Sequence, residues 1–277
     1  MKKILAMAAA ALILVSCGSK KAEAPAEETA APKYLVLYYS QAGSTQKVAE
    51  EFQKALNADI ELVELAGEYP TDYNETIAKV SAERAEGTLP EVKAIQSNLD
   101  EYDVIFLGYP IWFGTIATPM QSLLKNIDLK GKNVVNFCTF GSGGLIASTN
   151  DLKEAVPGIN VCASYGVRTA RVENAPAEVA EFLVRNGFCE GEVEALPGFD
   201  EMQPATDEEK AIFDKAIGTY PMLAGTVATE DCQRPVVGGV EYLFNAENKG
   251  KDGAVQKMQI WVLQKEGAEP EFTLVER

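Results

Sequence analysis

Three loops carry the residue types that could do chemistry. The first is Tyr38-Tyr39-Ser40-Gln41-Ala42-Gly43-Ser44-Thr45, which opens a helical pattern. The hydroxyls of Ser40, Ser44 and Thr45, with the first backbone N–H groups of a helix, suit a phosphate without any lysine. The second is Gly108-Tyr109-Pro110-Ile111-Trp112-Phe113-Gly114. Here an exposed tryptophan set in a turn suits a flat ring, because a large aromatic on a surface loop needs a partner. The third is Thr139-Phe140-Gly141-Ser142-Gly143-Gly144, whose glycines let backbone N–H groups approach a ring edge. Taken singly, each has a plainer explanation: a strand-to-helix turn capped by Ser44, aromatics packed on a sheet, a loose connection. Taken together, a phosphate site and a ring site facing each other describe a flavin mononucleotide (FMN) pocket. No side chain stands out as a catalytic acid or base, so the chemistry would belong to the cofactor.

The elements around these loops alternate strand and helix from Tyr34 to about Phe188. Strands are expected at Tyr34–Tyr39, Asp59–Leu65, Tyr102–Leu107, Val134–Phe140 and Ile159–Val167, with the second nearer an edge. Helices are expected at Ser44–Leu56, where Val48, Phe52 and Leu56 recur every fourth residue, at Asp72–Arg84, from Pro119 with Met120, Leu123, Leu124 and Ile127 on one face, and at Ala177–Asn186. Such alternation predicts an α/β fold, a doubly wound five-stranded parallel sheet covered on both faces. In open sheets of this kind ligands bind at the carboxyl ends of strands where strand order reverses, and flavodoxin, order 2-1-3-4-5, is the standard example of the rule. The two conspicuous loops follow the first and third expected strands.

The remaining segments bound the setting. Lys2 and Lys3 precede an apolar run, Ile4–Val15, too short to span a bilayer, which ends in Leu14-Val15-Ser16-Cys17. This reads as a lipoprotein signal over residues 1–16, with Cys17 lipidated and residues 17–33 a flexible tether. Gly18 and Ser19 carry no aspartate that would hint at inner-membrane retention, so the expected location is the cell envelope, lipid-anchored and outside the cytoplasm (the outer membrane in a Gram-negative cell). The chain has 25 basic and 41 acidic residues, a net charge of -16, and loss of Lys2 and Lys3 leaves -18. That charge argues against nucleic acid and anionic lipid surfaces as partners, so membrane attachment rests on the lipid alone. Absence of histidine excludes histidine triads and most transition-metal sites, and no metal is expected. Cys138 and Cys162 lie in apolar runs and read as buried thiols; a Cys189–Cys232 disulfide is left open. After Phe188 the pattern changes: a linker at 189–204, then a small α+β domain at 205–277. That domain is expected to hold one helix, Asp207–Gly218 capped by Thr206, and four antiparallel strands at Met222–Ala228, Val236–Asn245, Val255–Gln264 and Glu271–Val275.

On the Ser40–Thr45 loop, the Gly108–Gly114 motif and the Thr139–Gly144 turn, residues 34–188 resemble the flavodoxin family. The resemblance implies non-covalent FMN and electron transfer, or a flavin reductase activity. It implies that Ser40, Gln41, Ala42, Gly43, Ser44 and Thr45 hold the phosphate. Pro110, Ile111, Trp112, Phe113 and Gly114 would flank the ring, and Thr139, Gly141, Ser142 and Gly143 would close the site. Two departures are visible: Ala42 stands where many flavodoxins have a hydroxyl, and only Tyr69 and Tyr73 offer a second aromatic after the second strand. The C-terminal domain resembles cystatin-like modules through Val236-Val237-Gly238-Gly239-Val240-Glu241-Tyr242, with Pro235 in place of the expected glutamine; an interaction or packing role follows better than protease inhibition. The leading expectation is an anchored FMN electron carrier serving a redox partner protein. The alternatives are an FMN-dependent NAD(P)H or quinone reductase, and a non-redox binding module acting through the C-terminal domain. No Gly-x-Gly-x-x-Gly motif marks a second dinucleotide, and Asp252-Gly253-Ala254-Val255 does not fit covalent flavin attachment.

Overall fold

The computed structural model describes residues 31–218, 220–250 and 253–277. The signal run, Cys17 and nearly all of the tether lie outside the described residues. The chain opens with β1 (Tyr34–Tyr38), α1 (Ser44–Leu56), β2 (Asp59–Leu62) and α2 (Tyr73–Glu86). It continues through β3 (Val104–Trp112), β4 (Thr115–Ile116), α3 (Thr118–Asn126), β5 (Asn133–Phe140), α4 (Leu145–Ala155), β6 (Asn160–Arg168) and α5 (Ala175–Arg185). The parallel sheet runs β2-β1-β3-β5-β6, with β4 folded back on β3 as a hairpin. This is the flavodoxin-like order expected from the sequence.

Alternate residues of each central strand face opposite helical layers. Leu35, Leu37, Ile105, Leu107 and Val134 pack with Met120, Leu123 and Leu152 from α3 and α4. Val36, Phe106, Val135 and Phe137 pack with Val48, Phe52, Val179 and Leu183 from α1 and α5. Burial on both faces is why β1 and the first half of β3 read as apolar runs. Strand β5 is interrupted by buried Asn136, whose amide donates to the Tyr109 and Thr149 hydroxyls. In α1 the buried set is Thr45, Val48, Ala49 and Phe52, one stripe of a 3.6-residue period.

The second half contains β7 (Gln203–Pro204), α6 (Asp207–Ile217), β8 (Thr226–Val236), β9 (Gly239–Lys249), β10 (Val255–Lys265) and β11 (Glu271–Glu276). These strands form one antiparallel sheet ordered β11-β10-β9-β8-β7. A capping box of Thr206 and Glu209 starts α6. Its Phe213 and Ile217 cover Phe244, Ile260, Val262 and Phe272. Residues Pro32–Arg277 form one compact unit. The 189–204 segment is tied to β8: the Asp200 N–H donates to the Gln233 carbonyl (3.0 Å) and the Gln233 N–H to the Asp200 carboxylate (2.7 Å).

Several expectations need correction. The third strand does not stop at Leu107 but runs to Trp112, because Gly108, Tyr109 and Pro110 pair with Phe137, Cys138 and Thr139 of β5. Trp112 therefore ends a strand, and the turn proper is Phe113-Gly114, both at positive φ (52° and 80°). Strand β2 ends at Leu62, three residues early, because after Val63 the chain leaves β1 and bonds instead to the 91–93 segment. There the Ala66 N–H donates to the Glu91 carbonyl and the Lys93 N–H to the Glu64 carbonyl, with a Leu65–Val92 bridge between them. Helix α4 escaped the sequence reading because its buried face is partly hydroxylic, with Ser148 and Thr149 beside Leu152. Cys162 is exposed, not buried: the β5–β6 register slips between Val134 and Val135, and Cys162 is the residue left out of the ladder. In the C-terminal sheet β8 extends to Val236 and turns at Val237-Gly238, and Gln203–Pro204 adds a fifth strand. Cys138, Cys162, Cys189 and Cys232 are all free thiols.

Candidate functional site

Strands β1, β3 and β5 are neighbours, so the three loops at their carboxyl ends meet. The first loop leads into α1 through Gly43, whose left-handed φ of 85° supplies the turn but no capping side chain. Ser40 stands in for the cap: its hydroxyl accepts from the N–H of Gly43 (3.1 Å) and of Gln46 (3.2 Å). The N–H groups of Ser44 and Thr45, in the first helical turn, have no intrahelical acceptor by construction. No acidic residue lies in that turn. This is an anion-ready helix start.

The other predicted residues of this loop divide by role. Ala42 is exposed at the tip. Thr45 is buried, and its hydroxyl pairs at 2.8 Å with that of buried Thr139, bolting the first loop to the end of β5. Gln41 is a brace: Tyr39 donates to its side-chain oxygen, and its amide donates to the carbonyl of Pro70. Thus the hydroxyls of Thr45 and Thr139 and the Gln41 side chain hold the loops rather than offering free donors.

Trp112 is half-buried, edge-on to Tyr39 at 5.9 Å between ring centroids. It also lies nearly parallel to Tyr69, at 6.2 Å and 5°. Tyr69 therefore supplies the second aromatic, whereas Tyr73 is 76% exposed on α2. What fixes Tyr69 was missed in the sequence. Its hydroxyl donates to the Glu83 carboxylate at 2.9 Å, and Thr118 donates to the same oxygen at 2.9 Å. Glu83 is buried, although its place in a helix of charged residues gave no sign of it. Burial pushes the Tyr69 hydroxyl up to about 12, so it stays a neutral donor. Phe113 is exposed, with the Arg84 guanidinium 5.1 Å from its ring centre.

The third loop is held from the far side by the C-terminal sheet. The Val275 N–H donates to the Ser142 carbonyl at 2.9 Å, and Gly143 forms a parallel bridge with Val275. Arg168 donates to the carbonyls of Gly141 (3.0 Å) and Phe272 (2.9 Å), with its guanidinium over the Phe272 ring. Gly144 joins the third loop to the second, since a β-carbon there would meet Ile111 at 3.1 Å and the Gly114 carbonyl at 3.3 Å. Pro110 and Ile111 lie on β3 between the two loops, and the Pro110 carbonyl accepts from Ala117 N–H at 3.2 Å.

A phosphate-ready helix start beside an aromatic pair, at the point where strand order reverses, is a nucleotide-site arrangement. The flavodoxin family profile matches residues 33–177, just over half of the chain. The chain belongs to the flavodoxin family. Similar solved structures include a flavoprotein in complex with FMN from Lactobacillus acidophilus NCFM, 28% identical over 52% of this chain and 98% of its own, with a TM-score of 0.44. A candidate flavoprotein from Bacteroides eggerthii is 30% identical over 54% and 96%, with a TM-score of 0.46. Another from Bacteroides uniformis is 25% identical over 54% and 98%, with a TM-score of 0.48. Among curated proteins none matches. The family match ends before the linker, so the cystatin resemblance remains a reading of the sequence.

Family membership implies FMN, and the residues present fit it. The uncapped α1 start suits a phosphate, and the Trp112 and Tyr69 faces suit a flat ring. Among the described residues no group of three or more Cys, Asp and Glu is placed to hold a metal. No described helix is long and apolar enough to cross a membrane.

Proposed function

We propose that this flavodoxin-family chain binds FMN non-covalently and carries electrons at the cell envelope, anchored by a lipid on Cys17. The observation that carries the reading is the α1 start: two backbone donors without intrahelical acceptors, no acid in the turn, and an aromatic pair, Trp112 at the end of β3 and Tyr69 in the loop between β2 and α2. Ser44 and Thr45 N–H groups would hold the phosphate, with Ser40 and Gly43 shaping the turn. Trp112 and Tyr69 would hold the ring faces, Tyr69 being fixed by Glu83 and Thr118. Pro110, Ile111, Phe113 and Gly114 would line one side, and Gly141, Ser142 and Gly143 the other. Bound FMN supplies the electron chemistry, and the chain contributes orientation and exclusion of water. A net charge of -16 would steer a basic redox partner to the surface, with rates that fall as salt rises. Anchoring is supported by the sequence around Leu14-Val15-Ser16-Cys17 alone.

The test uses the chain from Ala31 onward, which contains the whole compact unit. Added FMN should shift its visible absorption and quench the flavin fluorescence at micromolar protein. Reduced holoprotein should then pass electrons to cytochrome c, a basic acceptor, at a salt-dependent rate. A folded chain that leaves FMN free in solution overturns the proposal. For the anchor, palmitate label should enter the full-length chain in cells and be lost in Cys17→Ala; labelling that persists rules Cys17 out.

A further inference from the structure

Strand β11 presents its free edge to the very loop that is assigned to close the flavin site. The contact has no slack. A β-carbon on Gly143 would fall 1.6 Å from the Val275 carbonyl oxygen, a separation no pair of atoms tolerates. The Val275 N–H points away from β10 and donates to Ser142 at 2.9 Å. One residue on, the Glu276 carboxylate accepts from the Ile146 N–H, in the first turn of α4, at 3.0 Å. Arg168 ties Gly141 and Phe272 through their carbonyls, and Tyr220 stands 3.0 Å from where a Gly141 β-carbon would be. Arg171 extends the seam, pairing with Glu271 (2.8 Å) and Glu178 (2.9 Å). Every residue of the loop from Gly141 to Gly143 is thus met by a group of the C-terminal module, directly or through Arg168.

We infer that β11 is a wall of the flavin site: Val275 and Glu276, with Arg168, are positioning residues that hold the 141–144 loop in its cofactor-binding form. The inference rests on the flavin reading above. Three glycines in a row of four would otherwise leave this loop many conformations, and ordering it would be charged against cofactor affinity. Docking of β11 removes that cost in advance. The coupling is reciprocal by necessity: if β11 favours FMN, bound FMN must hold β11 in place. The C-terminal module then has a role inside this chain, whether or not it meets any other protein.

The test uses the full-length chain and two kinds of variant. Gly143→Ala puts a methyl group where Val275 sits, while Val275→Pro removes the single N–H donor without removing a bond to β10. With the fold intact by circular dichroism, each should weaken FMN binding at least tenfold. Amide exchange in residues 272–276 should slow when FMN is added to the wild-type chain and not in the variants, a response that mere loss of stability does not produce. Should one variant fail to fold, Glu276→Ala, which frees the α4 start, gives the same comparison. Wild-type FMN affinity in variants whose β11 exchanges freely overturns the inference and leaves the flavin reading standing. So does FMN binding that leaves β11 exchange unchanged in the wild type. A wild-type chain that binds no FMN overturns both.

Discussion

Gly43 and Gly144 each precede a helix, each at left-handed φ (85° and 102°), neither with a side chain to cap it. Neither helix has an acid in its first turn, so α1 and α4 present the same dipole and the same bare donors. Their surroundings separate them. At α4 the Ile146 N–H is taken by Glu276, a carboxylate brought from the other end of the chain. At α1 the Ser40 hydroxyl answers Gly43 and Gln46, and the N–H groups of Ser44 and Thr45 between them stay clear. The difference teaches that an anion site is chosen here by what the fold places against a helix start, since the two starts are equivalent in themselves. One is filled by the protein's own carboxylate, and the other is the start that the proposed function gives to the phosphate.

The largest break in this contrast is Gly43→Asp, which tolerates the left-handed turn and puts a carboxylate at the α1 start as Glu276 does at α4. FMN affinity should fall about 100-fold, roughly 2.7 kcal/mol, while riboflavin, which lacks the phosphate, binds unchanged in parallel fluorescence titrations. Equal losses for both ligands would place the phosphate elsewhere.

A second carboxylate of the C-terminal module sharpens the comparison with Glu276. Asp231 is fully buried and no N–H answers either oxygen. Burial, then the neighbouring Glu209 and Asp200 carboxylates, push it up from 3.8 to about 6. A raised folded pKa means stability that is complete below pH 3.8 and is lost as pH rises through about 6. Urea unfolding followed in β8–β11 should show a decline on the order of 2 kcal/mol across that window. Asp231→Asn should flatten it; an unchanged slope would clear Asp231 of the effect.

Smaller effects test the struts. Trp112→Ala should weaken FMN and riboflavin alike, by about tenfold for one aromatic face. A loss confined to FMN would deny it the ring. Thr45→Val breaks the buried bond to Thr139 and should lower the unfolding free energy by about 1 kcal/mol, read from denaturant midpoints, with a minor change in flavin affinity.

Legibility in the sequence followed periodicity and glycine. Strands β1 and β3 are plain because burial on both faces leaves them apolar, and the periodicity of α1 marks both of its ends. Loop positions followed from strand order. What hid was whatever depends on partners far away in sequence. Nothing near Trp112 announced that β3 would keep pairing with β5 through Pro110. Glu83, among charged neighbours on α2, carries no mark of burial until Tyr69 and Thr118 close over it. Gly143 looked like freedom for a ligand, and the fold uses it for close approach of β11, a contact between residues 132 positions apart. Helix α4 was missed because serine and threonine line its buried stripe.

The hairpin tip at Phe113 has one more consequence. A two-residue turn with both central residues at positive φ is the setting in which asparagine before glycine is preferred, and a bulky ring there is held against its backbone preference. Phe113→Asn should therefore raise the melting temperature by a few degrees, corresponding to about 1 kcal/mol of relieved strain. The native ring is more than half exposed, so packing does not repay that strain from within. Comfort of the turn and presentation of an aromatic surface beside Arg84 exclude one another at this position, and the chain has settled on presentation.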